Sequence, residues 1–280
     1  MKPQECVLGG LRWAFCLRDR EPVQSGSCAR AGGVLAILLL VPLAVLAADG
    51  GAPKKVDPAF ELITDDPKLP RVLLMGDSVS IAYTLEVRKA LSGLANVHRV
   101  PANCGSTKTA LGSYGLVRWL GANEKWDVIH FNHGLHDLSY RFGDDSDKDA
   151  KGNYATPANG GHQNVSPAEY EQNLRKVVSR LKQIGAKLIF ATTTPVPECD
   201  AGKYVKDSER SYNEVARKVM AEEGVVINDL WAAVKPQQEQ LQIPRNVHLR
   251  REGSEGLGKQ VAAAIRAELG RCGGIDHSTR

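Results

Sequence analysis

Closely spaced cysteines are missing from this sequence: its six cysteines include no CxxC spacing, which removes the usual signature of a structural zinc site. An excess of charge of one sign is missing too. Lys and Arg outnumber Asp and Glu by four, and the first 48 residues hold five basic against three acidic side chains. The remainder is therefore at +2, which gives no electrostatic case for binding nucleic acid. No internal repeat is present, so a solenoid or propeller is excluded. Aromatic residues are 6% of the chain, few for lining a tunnel around a long apolar ligand. What is present is ordinary globular material, 42% hydrophobic over 280 residues, sufficient for a sizeable core.

Residues 31–48 form the one long uncharged run, with Pro42 inside it and small residues at its end. This is the layout of a secretory signal, with Val45 and Ala47 at the −3 and −1 positions of a cleavage site. Its 18 residues also approach the lower limit for a membrane anchor, the alternative if the segment stays uncleaved. Either way the body is expected outside the cytoplasm, secreted or periplasmic. The expected organisation is a leader over 1–48, a linker over 49–69, one domain over 70–272 and a tail over 273–280. Beyond the leader stand Cys104, Cys199 and Cys272, an odd number that allows one disulfide and one free thiol.

From Pro70 on, short apolar runs alternate with helical patterns. Residues 71–75, 95–100, 126–131, 186–191 and 224–228 are rich in branched side chains and predict buried parallel strands. The clearest helix spans 167–184, with Tyr170, Leu174, Val177, Val178, Leu181 and Ile184 on one face. Ser166 and Glu169 predict a capping box, Pro167 occupies the first turn, and Gly185 follows the last. Five such alternations predict a three-layer α/β/α sandwich around a parallel sheet of about five strands, with ligands beyond the carboxyl ends of the strands. Residues 141–165, rich in Gly, Asp and Asn, then form a long loop at that edge.

Three short blocks fall at those strand ends, and a fourth precedes the last helix. The first strand runs into Gly76-Asp77-Ser78, and a serine at a strand-to-helix turn has an exposed hydroxyl beside free helix-start N–H groups. After the second strand comes Asn103-Cys104-Gly105, after the third Gly134-Leu135-His136-Asp137, and before the last helix Asn246-Val247-His248. Taken alone, Gly-Asp-Ser is ordinary helix-capping chemistry.

In order and spacing the four blocks resemble those of the SGNH/GDSL hydrolases, over roughly residues 71–269. The resemblance implies a flavodoxin-like sandwich and a serine esterase that uses no metal and no cofactor. It makes Ser78 the nucleophile, His248 its general base, and the N–H groups of Ser78 and Gly105 oxyanion donors. The family's third donor is an Asn, and His136 stands in its place, with Asn103 and Asn132 as nearby alternatives. An imidazole N–H can serve that role. The family's triad Asp precedes the histidine by three residues, where this chain has Arg245; Asn246 is the expected substitute.

Plainer readings stand beside these. Asp77 and Asp137 serve equally well as turn-tying groups, and Asp229 is expected to cap the helix that begins at Leu230 rather than to act as the triad acid. His130 is read as a strand histidine and His133 as a loop one, and Tyr170, Trp119 and Trp126 as core. A metal-dependent hydrolase using Asp77, His133, His136, Asp137 and His248 is one rival, although no HxxxH or DxH motif supports it. The other is a carbohydrate-binding protein that has kept the fold and lost the acid. The expected partner is a small-molecule or polysaccharide ester, with a membrane involved only if the leader is retained; the oligomeric state is left open.

Overall fold

The chain is described by a computed structural model over residues 56–270, apart from positions 123 and 144. The expected leader and Cys272 lie outside the described residues. Among the described residues no helix is long and apolar enough to cross a membrane.

The strands are β1 (Arg71–Met75), β2 (Asn96–Arg99), β3 (Val128–Phe131), β4 (Tyr140–Arg141), β5 (His162–Gln163), β6 (Lys187–Ala191) and β7 (Val226–Asn228). The helices are α1 (Ser78–Ala90), α2 (Thr107–Leu111), α3 (Leu116–Trp119), α4 (Leu135–Leu138), α5 (Pro167–Lys182), α6 (Glu209–Glu222), α7 (Leu230–Val234), α8 (Gln238–Leu241) and α9 (Arg251–Gly270). Five strands make one sheet in the order β2-β1-β3-β6-β7, every pair parallel. In β1 and β3 consecutive residues are buried, as required of strands covered on both faces.

Right-handed crossovers put α1 on one face and α5 and α6 on the other, because the chain moves one way along the sheet from β1 to β2, then reverses past β1 to β3 and continues that way to β6 and β7. α9 joins α1: Gly258 brings the two helices together, since a Cβ there would lie 3.1 Å from the Tyr83 carbonyl oxygen and closer still to Glu86. The reversal of strand order between β1 and β3 opens a crevice at their carboxyl ends. Gly76-Asp77-Ser78 leaves β1 there and Asn132 to His136 leaves β3 there, so topology alone brings two of the four blocks together.

Three local expectations need adjusting. Ser166 Oγ accepts from the Glu169 N–H at 3.3 Å, but the Glu169 carboxylate lies 3.6 Å from Lys108 Nζ, and a cation on α2 competes with the reciprocal half of the capping box. Residues 141–165 are no structureless loop. β4 and β5 pair antiparallel, Lys148 bridges to Tyr154, and Asp149 Oδ1 accepts from the N–H groups of Lys151 and Asn153, so the segment satisfies much of its own backbone. Finally, the stretch before β1 packs on the domain from Asp57 onward. Ala59 is buried, Arg88 holds the carbonyls of Pro58 and Glu61, and the Asn96 amide bonds the backbone of Asp66 in both directions. Cys104 and Cys199 are both buried free thiols.

Candidate active site

Asp77 leaves β1 with extended backbone, and its Oδ1 accepts from the Val79 N–H at 2.9 Å, the N-cap that starts α1. Ser78 is thereby the first residue of the helix. Its Oγ lies 2.8 Å from His248 Nε2. His248 sits in a turn closed at its base by a bridge between Gln242 and Leu249, and Gln242 Nε2 anchors that base to the Pro195 carbonyl at 2.7 Å.

Asn246 Oδ1 lies 2.7 Å from His248 Nδ1 and accepts from the His248 backbone N–H at 2.9 Å. The second bond fixes the identity of the amide oxygen, because a backbone N–H can only donate. An acceptor at Nδ1 places the ring proton on that nitrogen and leaves the Nε2 lone pair facing Ser78 Oγ. Arg245, at the position where the resemblance implies an acid, has a left-handed backbone with φ of 57° and pairs outward with Asp200.

Gly105 stands on the other side of the turn. Its φ of +58° and a prospective Cβ only 2.8 Å from Thr109 Oγ1 both demand glycine. Its N–H donates to Asn103 Oδ1 at 3.0 Å, and its carbonyl accepts from His133 Nδ1 at 3.1 Å. Burial depresses the His133 pKa to about 4, so the ring is neutral at pH 7 and its Nδ1 proton is committed to Gly105. His136, in α4, is half-buried; burial lowers its pKa, while the field of Asp77 raises it and those of Arg141, Lys203 and His248 lower it. At Gly134 a Cβ would lie 1.9 Å from Thr193 Oγ1, so glycine lets the turn carrying His136 press against the end of β6.

A profile of the GDSL-like lipase and acylhydrolase family matches residues 74–255. The chain belongs to this family. It is an SGNH/GDSL-type ester hydrolase, and its sheet is the parallel sheet of that fold. Among solved structures it is similar to a lipase/acylhydrolase from Enterococcus faecalis, with TM-score 0.54 and 18% identity over 71% of this chain and 96% of that one. It is also similar to the acetyl xylan esterase AlAXEase, with TM-score 0.53 and 15% identity over 70% of this chain and 99% of that one. At these identities the likeness is one of fold. A search of curated proteins finds no match.

The other candidate residues of this hydrolase hold its framework. Asn132 donates its side-chain amide to the Ala191 carbonyl at 2.7 Å, which ties β3 to β6. Asp229 caps α7 through Ala232, accepts from Thr192 Oγ1 and pairs with Arg217 Nη2 at 2.8 Å. Among the described residues no three His, Cys, Asp or Glu side chains converge as a metal-holding group. Trp119 is half-buried, its ring stacked 6.4 Å from that of His133, while Trp126 and Tyr170 are buried. A cleft of about 290 Å³ flanks the histidine, lined by Tyr154, Lys203, Tyr204, Asn246 and His248 among others. None of the first three announced itself in the sequence. Tyr154 comes from the 141–165 segment, where an aromatic among Gly, Asp and Asn was the available sign.

Asp137 is fully buried with Oδ1 accepting from the Thr107 N–H at 2.9 Å and from Thr107 Oγ1 at 2.5 Å, so it ties the Gly105 loop to α4. Its Oδ2 has no partner, and burial pushes its pKa up from 3.8 to about 7. The folded state therefore binds a proton that the unfolded state has released, and stability declines as pH rises from about 4 to about 7. Asp137→Asn keeps an acceptor for Thr107 and cannot ionise. Urea unfolding across this range should show wild type losing a few kcal/mol relative to the Asn variant. Parallel pH profiles for the two proteins would show that Asp137 does not titrate between them.

Proposed function

We propose that this hydrolase cleaves short-chain carboxylic esters by nucleophilic catalysis at Ser78, with His248 as general base and Asn246 as the group that orients it. The observation behind this reading is the unbroken chain from Asn246 Oδ1 through both nitrogens of His248 to Ser78 Oγ, at 2.7 and 2.8 Å. The Ser78 proton passes to Nε2 as Oγ bonds to the ester carbonyl carbon, and the carbonyl electron pair moves to oxygen. Collapse of that oxyanion breaks the bond to the leaving alkoxide, which takes the proton from Nε2. Water then repeats the sequence on the acyl-serine, releasing the acid and restoring Oγ–H.

The Ser78 N–H, the Gly105 N–H and His136 are the proposed oxyanion donors. For Gly105 the substrate oxygen replaces Asn103 Oδ1, an exposed acceptor that substrate can displace. A lowered pKa keeps His136 neutral, so it donates a hydrogen bond without placing a permanent charge beside His248. On p-nitrophenyl acetate, Ser78→Ala should lose activity by on the order of 10³-fold or more while remaining folded. His136→Ala should lose roughly 10²- to 10³-fold and His136→Asn less than about tenfold. Wild-type rates in the Ser78 variant would end the serine mechanism, and equal rates in the two His136 variants would remove His136 from the oxyanion site.

An amide at the orienting position holds the imidazole tautomer but adds no negative charge to stabilise the imidazolium. Asn246→Ala should lower kcat by about tenfold, and Asn246→Asp should leave kcat unchanged or raise it, since a carboxylate favours the protonated ring. The assignment fails if Asn246→Ala matches wild type while Asp229→Ala is folded and inactive.

The acyl preference rests on the cleft beside His248, which carries the charged side chains of Asp200, Lys203 and Arg245 beside Tyr154 and Tyr204, and on the 6% aromatic content of the chain; these fit a short acyl group on a hydrophilic alcohol, such as an acetylated polysaccharide. With the leader over 1–48, the proposed setting is outside the cytoplasm. Across p-nitrophenyl esters of increasing chain length, kcat/KM should peak at acetate or butyrate, with acetylated glycans deacetylated in parallel. A maximum at octanoate or beyond would assign a lipase specificity instead.

A further inference from the structure

Arg99, the last residue of β2, is 6% exposed, and among the described residues no carboxylate forms an ion pair with it. A buried guanidinium without a counter-charge bears a desolvation cost of several kcal/mol, so its acceptors deserve scrutiny. One of them, Thr84 Oγ1 at 3.4 Å from Nη1, lies further along α1; the others belong to or border the turn that carries Ser78. Nη2 donates to the Gly76 carbonyl at 2.9 Å and to the Asp77 carbonyl at 3.3 Å. Nη1 donates to Ser80 Oγ at 2.6 Å, and Ser80 Oγ donates in turn to the Asp77 carbonyl at 3.0 Å.

Two routes from one cation therefore end on the carbonyl oxygen of Asp77. That oxygen and the Ser78 N–H belong to the same peptide unit. Withdrawing electron density through C=O makes the N–H at the other end of a conjugated amide a stronger donor, the cooperative effect of linked hydrogen bonds. The Ser78 N–H opens α1, where helix geometry leaves it without an intrahelical acceptor and free for an incoming oxyanion. Gly76 completes the arrangement: a Cβ there would lie 2.7 Å from Ser80 Oγ and would push Ser80 out of the relay.

We propose that Arg99 is a positioning residue for transition-state stabilisation, polarising the Asp77–Ser78 peptide so that the Ser78 N–H binds the developing oxyanion more strongly than an unassisted amide. The inference rests on the reading of Ser78 as nucleophile. It differs from a purely structural clamp in what it predicts for charge removal, because replacing a buried ion by an apolar side chain of similar length is often neutral or stabilising.

The test compares wild type, Arg99→Met and Arg99→Lys on p-nitrophenyl acetate, together with inhibition by phenylboronic acid, which forms a tetrahedral adduct on a nucleophilic serine. Arg99→Met should lower kcat and boronate affinity by the same factor, about tenfold, with KM unchanged and no loss of thermal stability. Arg99→Lys keeps the charge but lacks the two-pronged fork, and should lose about threefold in both. Wild-type kcat and boronate affinity in the Met variant overturn the proposal, as does a kcat loss with boronate affinity intact. Should the Met variant fail to fold, wild-type values for both quantities in the Lys variant overturn it equally. Ser78→Ala separates the two readings: boronate affinity unchanged in that variant defeats the serine mechanism itself. Affinity lost there but retained in Arg99→Met defeats the role of Arg99 alone.

Discussion

The chain must leave a strand buried on both faces, turn within two residues and begin a helix without stranding any backbone polar group. That constraint, met at Gly76-Asp77-Ser78, organises the rest of the site. The Asp77 carboxylate caps the helix, worth about 1 kcal/mol for a typical N-cap. The Gly76 carbonyl is satisfied from outside the turn, by the Cys104 N–H at 3.1 Å and by Arg99. Both donors follow or end β2, so meeting the backbone requirements of one turn also fixes where the Gly105 loop begins. A second tie runs from Asp137 to Thr107 and attaches the same loop to the turn after β3. The Gly105 side of the crevice is thus held at both ends by groups whose first duty is backbone satisfaction.

The histidine side is built differently. His248 hangs from a turn between α8 and α9, and a neutral amide two residues away orients it. Electrostatics around it are correspondingly mild: Lys203 is neutralised by Asp147, Arg245 by Asp200, and neither His133 nor His136 gains a proton on burial. Under the proposed mechanism, a histidine oriented by an amide rather than a carboxylate leaves more of the stabilisation to the oxyanion donors, and the buried Arg99 guanidinium lies behind the Gly76-Asp77-Ser78 turn.

Much of this was legible in the chain itself. β1 ends where the branched run ends, and the other four sheet strands fall within their apolar runs, shortened by a residue or two because ladder hydrogen bonds stop before hydrophobicity does. The α5 face was legible because six apolar residues recur at helical spacing, and five of them are buried. Ser78, Gly105 and His136 were visible as short blocks at strand ends, and Asn246 and His248 as a block before the last helix. Arg99 was not, since one arginine at the end of an apolar strand looks like any residue emerging into solvent. Nor were Tyr154, from the 141–165 segment, and Lys203 and Tyr204, from the stretch between β6 and α6, neither of which has a periodicity to interpret.

Sequence by itself determined the layers, the parallel sheet and the edge of the sheet at which chemistry is expected, because these follow from periodicity, strand length and the handedness of crossovers, all local properties. It also determined that no Asp stands three residues before His248. Tertiary structure decided that Asn246 Oδ1 rather than Asp229 meets the ring, that Asn132 braces the sheet, that Asp137 is buried with half its carboxylate unpaired, and that the Arg99 guanidinium lies beneath the Gly76-Asp77-Ser78 turn. Each of these turns on the distance between groups far apart in the chain or on the removal of water around them. Hydrogen-bond choice and burial exist only once the sheet and helices have closed over those residues.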